Sequence, residues 1–141
     1  MRSKIDSRRI LVDTREKRPW KFKQQIRTTV KFGDYTIDGG KTKVVIERKA
    51  IKDLYVTFSS TRWKKFYTKL EKAVREIKYV FLFIEASLAE VYCGIQYTKM
   101  PGEVIIERLI QLMKLGVQVI FTGNSKKGTI LAETLLRKIT K

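Results

Sequence analysis

Histidine is absent from the 141-residue sequence, and Cys93 is its only cysteine. A single cysteine cannot form a disulfide within the chain, and neither a Cys/His zinc site nor a cysteine cluster can be assembled from this composition. The absence of histidine also removes the side chain most suited to proton transfer near neutral pH. Any catalysis by this chain must therefore use carboxylates, lysine, arginine, tyrosine or a hard cation bound by oxygen.

Acidic residues are scarce compared with basic ones. The 14 Asp and Glu residues face 31 Lys and Arg residues, which gives a formal net charge of +17. Such an excess favours an anionic partner, and nucleic acid is the commonest one. An anionic membrane surface is the alternative, but it would require a concentrated basic tail or an amphipathic anchor. Because the cations are spread along the whole chain, the sequence predicts a nucleic-acid partner and no membrane partner.

Long apolar runs are also missing. The longest, Tyr79–Ile84, is far too short to span a bilayer, and the segment Met1–Arg9 is too polar for a signal peptide. We therefore expect an intracellular protein, in the cytoplasm, nucleoid or nucleus, that is not secreted. The length fits one domain over residues 1–141, and a hydrophobic content of 43% is ordinary for a folded protein.

Hydrophobic periodicity predicts strands first and then alternating helices and strands. The predicted strands are Arg9–Asp13, Thr28–Ile37, Lys43–Arg48, Tyr79–Glu85 and Val117–Thr122, and the predicted helices are Thr61–Lys78, Val104–Leu115 and Thr129–Ile139. Loops are expected over Lys17–Gln25 and Gln96–Gly102. This order predicts a single α/β domain with a central mixed β-sheet flanked by helices on both faces.

The helix Thr61–Lys78 is amphipathic, and its polar face is strongly basic. We interpret this face as solvated surface rather than as a dedicated DNA-binding face. Its cations are Lys64, Lys65, Lys69, Lys72, Arg75 and Lys78.

The residues Asp38-Gly39-Gly40 predict a hairpin between the second and third strands. A loop of two or four residues gives antiparallel partners whose numbers sum to 79 or 81. Both registers place Asp34, Glu47 and Lys49 on one face, because side chains alternate along a strand. An odd loop or a bulge would break this arrangement.

Two neighbouring carboxylates repel one another unless a cation lies between them. An Asp34–Glu47 pair beside the apolar residues Val44–Ile46 therefore suggests a site for Mg²⁺ or Mn²⁺, which prefer oxygen ligands. The alternative is that Glu47 only pairs with Lys49 or Arg48 at a solvated strand edge. Asp13 adds a third carboxylate at the end of another apolar strand.

Three motifs in order resemble the nuclease domain of the XPF family of structure-specific endonucleases, within the restriction-endonuclease-like PD-(D/E)xK superfamily. They are VDTRE (Val12–Glu16), GDY (Gly33–Tyr35) and ERKAIKD (Glu47–Asp53). The resemblance continues through FSSTRW (Phe58–Trp63) and FLFIE (Phe81–Glu85) and covers nearly the whole chain. It implies a restriction-endonuclease-like fold.

The resemblance also implies roles for seven residues. Asp13, Asp34 and Glu47 correspond to metal-binding carboxylates. The basic pair of the core motif is matched by Arg48 and Lys49, the arginine of the first motif by Arg15, and the closing aspartate by Asp53. Asp53 one turn beyond Lys49 is equally well interpreted as an ordinary helix-start carboxylate.

The implied function is a Mg²⁺- or Mn²⁺-dependent endonuclease that hydrolyses phosphodiester bonds in branched DNA (flap, fork or junction) and leaves 5′-phosphate and 3′-hydroxyl ends. The alternatives are a non-catalytic DNA-binding partner subunit, a kind of protein that this family also contains, and a nuclease of the same superfamily that resolves junctions or degrades foreign DNA. Because nuclease domains of this family tend to dimerise, a homodimer through Val104–Leu115 is also expected.

Two departures from the family are visible. No helix-hairpin-helix module is expected in residues 1–141, although such modules commonly follow the nuclease domain. The glycine and glutamine that flank the arginine after the core motif are replaced by Thr61 and Phe66, around Arg62.

Overall fold

A six-stranded mixed sheet forms the centre of the protein. The computed structural model describes residues 6–39, 43–95 and 98–140. In chain order the strands are β1 (Ile10–Asp13), β2 (Gln25–Thr28), β3 (Tyr35–Ile37), β4 (Val44–Ala50), β5 (Tyr79–Glu85) and β6 (Gln118–Phe121). They lie side by side in the order β2-β1-β3-β4-β5-β6. The strand β1 is parallel to β2 and antiparallel to β3, β3 is antiparallel to β4, and β4, β5 and β6 run parallel to one another.

Helices cover both faces of this sheet, as the sequence predicts. They are α1 (Ile51–Phe58), α2 (Arg62–Glu76), α3 (Leu88–Cys93), α4 (Gly102–Leu115) and α5 (Ser125–Ile139). The first four bury their apolar residues in one core on one face. The second core, on the opposite face, contains Ala132 and Leu136 of α5 together with Trp20 and Phe22. The predicted α/β architecture is therefore confirmed.

The most apolar strand is flanked on both sides. Five consecutive residues of β5, from Val80 to Ile84, are buried, and the strand pairs with β4 on one side and with β6 on the other. Parallel strands covered on both faces are expected to be continuous apolar runs, as this one is. The order β4, β5, β6 brings the carboxyl ends of three strands to one edge of the sheet.

One predicted strand, Thr28–Ile37, is wrong in its bounds. The chain instead forms β2 at Gln25–Thr28, turns, and forms β3 at Tyr35–Ile37. The turn contains Gly33 at φ +78°, a left-handed conformation that a regular strand does not contain. The edge strand β2 is largely exposed and has one apolar residue, Ile26, among its four, so it carries no apolar alternation to detect.

The helices also differ from prediction at specific points. The short helices α1 and α3 are additional, and α3 begins with a capping box between Ser87 and Glu90. The last helix begins at Ser125 rather than Thr129, because the Asn124 side chain accepts a hydrogen bond from the Lys127 N–H and caps it. Within the described ranges, no helix combines the length and apolar character needed to cross a bilayer.

Candidate active site at the carboxyl end of strand β4

The register between β3 and β4 places Asp34 and Glu47 next to each other. Tyr35 pairs with Ile46, so the partners sum to 81, one of the two registers expected from an even loop. The hairpin loop itself lies partly outside the described residues. The Asp34 N–H donates to the Ile46 carbonyl at 2.9 Å, which fastens Asp34 to β4 just before Glu47.

Gly33 is required for this approach. A Cβ atom at Gly33 would lie 2.5 Å from Cγ2 of Val45 and 3.0 Å from the Ile46 carbonyl oxygen. Its φ of +78° is also unfavourable for any residue with a side chain. The glycine before Asp34 therefore lets the turn press against β4 and sets the position of the Asp34 carboxylate.

Asp34 and Glu47 form a pair of carboxylates whose mutual repulsion the surrounding residues only partly offset. Burial, followed by the charges of Glu47 and Glu16, raises the pKa of Asp34 to about 8, while the Arg48 N–H and the charge of Lys69 oppose the shift. Only 5% of Glu47 is exposed. Two hard-oxygen ligands that repel each other in a partly buried site match what Mg²⁺ or Mn²⁺ requires, so the donor set fits a divalent cation.

Glu47 is paired with a residue that the sequence interpretation overlooked. Nζ of Lys69, on α2, lies 3.0 Å from Oε2 of Glu47, so neither Lys49 nor Arg48 is its partner. The solvated-face interpretation of the α2 lysines is therefore wrong for Lys69. A signal was available, because Lys69 is adjacent in sequence to the buried Leu70 and lies three residues after the buried Phe66.

Lys49 is on the same face of β4 as Glu47. Along β4, Val44 and Ile46 enter the second core while Val45 enters the first, so the alternation directs Glu47 and Lys49 toward α1 and α2. The Lys49 ammonium donates to Oγ1 of Thr57 at 3.2 Å and lies 5.1 Å from the ring centroid of Phe66. The structure thus brings Asp34, Glu47 and Lys49 together at one edge of the sheet.

Asp13 is near this site but is engaged elsewhere. Its carboxylate accepts hydrogen bonds from Nε of Arg15 at 2.7 Å and from the Val30 N–H at 3.0 Å. Burial alone would raise the pKa of Asp13, but these hydrogen bonds and the Arg15 charge lower it below its ordinary value. The Asp13 N–H donates to the Asp34 carbonyl at 2.9 Å, which ties β1 to the pair. The exposed Arg15 guanidinium lies within the electrostatic influence of Asp34 and Glu47.

The side chain of Arg48 points to the opposite face of the sheet from Lys49. Its guanidinium pairs with Glu85 at 2.5 Å, donates to the Arg18 carbonyl at 2.6 Å and lies 4.9 Å from the Trp20 ring. Only the Arg48 backbone reaches the carboxylate pair, through its N–H, which donates to Oδ2 of Asp34 at 2.8 Å. Arg48 therefore braces the loop that contains Trp20 and orients Asp34 through the main chain.

Asp53 lies in the first turn of α1 and is exposed to solvent. It lines an open cleft of 620 Å³. The other lining residues are Arg15, Glu16, Lys17, Arg18, Arg48, Ala50 and Glu85. Its position at a helix start agrees with the simpler of its two interpretations, a carboxylate that is stabilised by the helix dipole.

The expected set of three metal-binding carboxylates does not converge. In residues 6–39, 43–95 and 98–140 no three His, Cys, Asp or Glu side chains are grouped closely enough to hold one ion. The pair that fits a cation is Asp34 and Glu47, with Asp13 held by Arg15 beside it. A role for Asp13 as a third ligand stays a prediction.

Comparison with known proteins gives a family and a fold. The model of the ERCC4 domain matches residues 7–131. XPF from Aeropyrum pernix is similar in structure, with a TM-score of 0.74, 19% identity and coverage of 94% of this chain and 65% of that one. XPF from Aeropyrum pernix in complex with DNA gives a TM-score of 0.74, 20% identity and the same coverage.

At this level of identity the structural likeness shows the fold alone, and the chain spans about 65% of the length of those XPF chains. A comparison with curated proteins found no match. The ERCC4 match nevertheless extends over most of the chain, from β1 into α5. The chain therefore belongs to the ERCC4 domain family, and its fold is that of an XPF nuclease domain.

Proposed function

We propose that this chain is a Mg²⁺- or Mn²⁺-dependent DNA endonuclease that cuts branched DNA. The observation that carries the proposal is the juxtaposition of Asp34 and Glu47, where burial disfavours negative charge on Asp34. The Lys49 ammonium lies on the same face of β4 as Glu47. Membership of the ERCC4 domain family and a net charge of +17 support it. The DNA bound to XPF from Aeropyrum pernix makes DNA the polyanion to test first.

Asp34 and Glu47 would hold the metal ion, each through carboxylate oxygen. When bound, the metal supplies charge that polarises the scissile phosphate and lowers the pKa of a coordinated water. The chain's own contribution is to fix these oxygens: Gly33 positions Asp34 against β4, and the Arg48 N–H orients its carboxylate. Attack by water in line with the P–O3′ bond would break that bond, so the 3′ oxygen would leave as a hydroxyl and the phosphate would stay on the 5′ end.

Lys49 would stabilise the negative charge that develops on the phosphate in the transition state. Thr57 and the Phe66 ring restrict its ammonium to the site face, and such pre-positioning is the main source of electrostatic catalysis. Arg15 would contribute a phosphate contact. Its guanidinium is braced by Asp13, but its side chain is 71% exposed, so donors remain available to a ligand.

The test is cleavage of labelled flap, fork, four-way junction and plain duplex DNA by the purified chain, with Mn²⁺ or with EDTA. We expect metal-dependent cutting of at least one branched substrate, and a loss of about 100-fold or more in kcat for Lys49→Ala. Asp38→Ala is a matched control, because Asp38 is exposed and, among the described residues, its ion pair is with Arg9 at 3.3 Å. Cutting in EDTA, or cutting unaffected by Glu47→Ala, would remove this mechanism.

The same substrates separate the remaining candidates. A non-catalytic partner subunit would bind the branched DNA without cutting it in any metal. A junction-resolving nuclease would make a symmetric pair of cuts across the four-way junction and leave flaps intact.

A further inference from the structure

Lys69 occupies the position of a counter-ion for the carboxylate pair. Its Nζ lies 3.0 Å from Oε2 of Glu47, whose side chain is only 7% exposed. The same ammonium acts electrostatically on Asp34 and lies 5.7 Å from the Phe66 ring centroid. Within the described part of the chain, Lys69 is the ion-pair partner of Glu47. The protein itself therefore partly neutralises the site that we assign to a metal.

A metal ion at Asp34 and Glu47 must compete with this ammonium. An amine held at hydrogen-bond distance uses a Glu47 lone pair and contributes positive charge where the divalent ion would lie. The competition can be relieved, because the Lys69 side chain is 40% exposed and stands on a flexible four-carbon stem. Lys69 is thus held by Glu47 without being enclosed with it.

A second anionic partner for Lys69 would fit on its other side. Lys69 also lines a groove of 620 Å³ between α2 and the turn before β3. We call this the basic groove; its lining includes Lys31, Phe32, Lys64, Lys65 and Lys72. Of these lysines, Lys31 pairs with Glu76 at 2.9 Å. Five lysines around one groove form a positive concavity suited to a nucleic-acid backbone, and the groove adjoins the carboxylate pair through Lys69 itself.

We propose that Lys69 is a switchable counter-ion that pairs with Glu47 in the free protein and turns to a DNA phosphate when DNA enters the basic groove. This inference rests on the proposed metal-dependent nuclease. Its consequence is that DNA binding frees Glu47 for the metal, and metal binding frees Lys69 for DNA. The two ligands are therefore coupled, and by linkage the coupling must be equal in both directions.

The first test measures Mn²⁺ binding to the DNA-free protein by electron paramagnetic resonance of the free ion. Lys69→Met removes the competing charge and keeps the length of the side chain, so we expect Mn²⁺ to bind about tenfold more tightly than to the wild type. Lys69→Arg keeps the charge and should restore an affinity near that of the wild type. Lys65→Met is the matched control, because Lys65 lines the same groove without a carboxylate partner among the described ion pairs. Unchanged or weaker Mn²⁺ binding to Lys69→Met overturns the inference.

The second test measures the coupling through DNA affinity. Fluorescence anisotropy of a labelled DNA fork is recorded in EDTA and in Ca²⁺, another hard cation bound by oxygen, with a gel to check that the fork stays intact. A bound cation can contact the phosphate directly in both proteins, so the informative quantity is the part of the Ca²⁺ effect that depends on Lys69. We expect Ca²⁺ to tighten binding several-fold more in the wild type than in Lys69→Met. An equal effect in the two proteins contradicts the switch.

These measurements also separate the inference from the function on which it rests. If the wild type binds no Mn²⁺, or if Asp34→Asn binds it equally well, the proposed metal site is wrong. If Asp34→Asn abolishes Mn²⁺ binding while Lys69→Met behaves as the wild type, the metal site stands and only the role of Lys69 is overturned.

Discussion

Replacing Asp34 with asparagine removes a negative charge that lowers the free energy of unfolding of the metal-free protein. Burial, followed by the charges of Glu47 and Glu16, raises the pKa of Asp34 to about 8. A carboxyl group whose pKa is higher in the folded than in the unfolded protein stabilises the fold below its unfolded pKa. That stabilisation is lost as the pH rises through the folded pKa. The metal-free protein should therefore lose stability from this group between about pH 4 and about pH 8.

The size of the effect follows from the same shift. The gap between about 8 in the fold and an ordinary value of 3.8 sets a ceiling near 6 kcal/mol, at ~1.4 kcal/mol for each pH unit. Asp34 is partly exposed, so solvent screening reduces this figure. Asparagine can still accept the hydrogen bond from the Arg48 N–H. We expect Asp34→Asn to be more stable than the wild type by about 1–3 kcal/mol in EDTA at about pH 8.5.

Urea unfolding followed by the fluorescence of Trp20 and Trp63 provides the assay. In EDTA the advantage of Asp34→Asn should shrink as the pH falls to about 5 and vanish below about pH 4, where Asp34 is protonated in the unfolded chain as well as in the folded protein. Adding Mg²⁺ at about pH 8.5 should stabilise the wild type and leave Asp34→Asn nearly unchanged. The exposed Asp38→Asn should change stability by less than about 0.5 kcal/mol at either pH. An Asp34→Asn protein less stable than the wild type in alkaline EDTA would refute this account of the site.

Three other substitutions test separate parts of the structure. Gly33→Ala should cost about 2–4 kcal/mol in urea unfolding because of crowding and positive φ. Gly39→Ala, at φ +73° where a Cβ would meet only Arg8 side-chain carbons at ordinary van der Waals distance, should cost about 1 kcal/mol; equal costs would contradict the close approach to β4. Arg48→Met leaves the buried Glu85 without its partner, so we expect a loss of about 2–4 kcal/mol with Mn²⁺ affinity changed less than twofold; a large change in affinity would show that its side chain acts at the metal. We also propose a homodimer through α4, where Ile110 is 48% exposed. Light scattering at high concentration should give twice the monomer mass for the wild type and the monomer mass for Ile110→Lys. A monomeric wild type would exclude the dimer.

The apolar strands and their succession along the chain were predictable from the sequence because burial dictates their composition. The run Tyr79–Glu85 is apolar throughout and forms β5, covered on both faces. By contrast β2 was not predictable, since Gln25–Thr28 pairs at an exposed edge and its stability comes from main-chain pairing with β1. Tertiary pairing of this kind leaves no trace in side-chain periodicity.

The carboxylate pair was predictable as far as the hairpin register was known. Strand alternation alone separates Arg48 from Glu47 and Lys49, which is the arrangement found, although the family resemblance groups all three residues. The engagement of Asp13 by Arg15 and Val30 was not predictable, because it depends on how the turn before β3 folds over β1. Lys69 was missed for a similar reason: its role depends on the packing of α2 against β4, which periodicity does not specify.

The central claim is that Asp34 and Glu47 hold one divalent ion. The most direct measurement is the anomalous scattering of Mn²⁺ in crystals of the wild-type protein. We predict a manganese peak between the two carboxylates, with the Lys69 ammonium displaced from Glu47. A peak at Asp53 or in the cleft beside Arg48, with Lys69 still bound to Glu47, would contradict it.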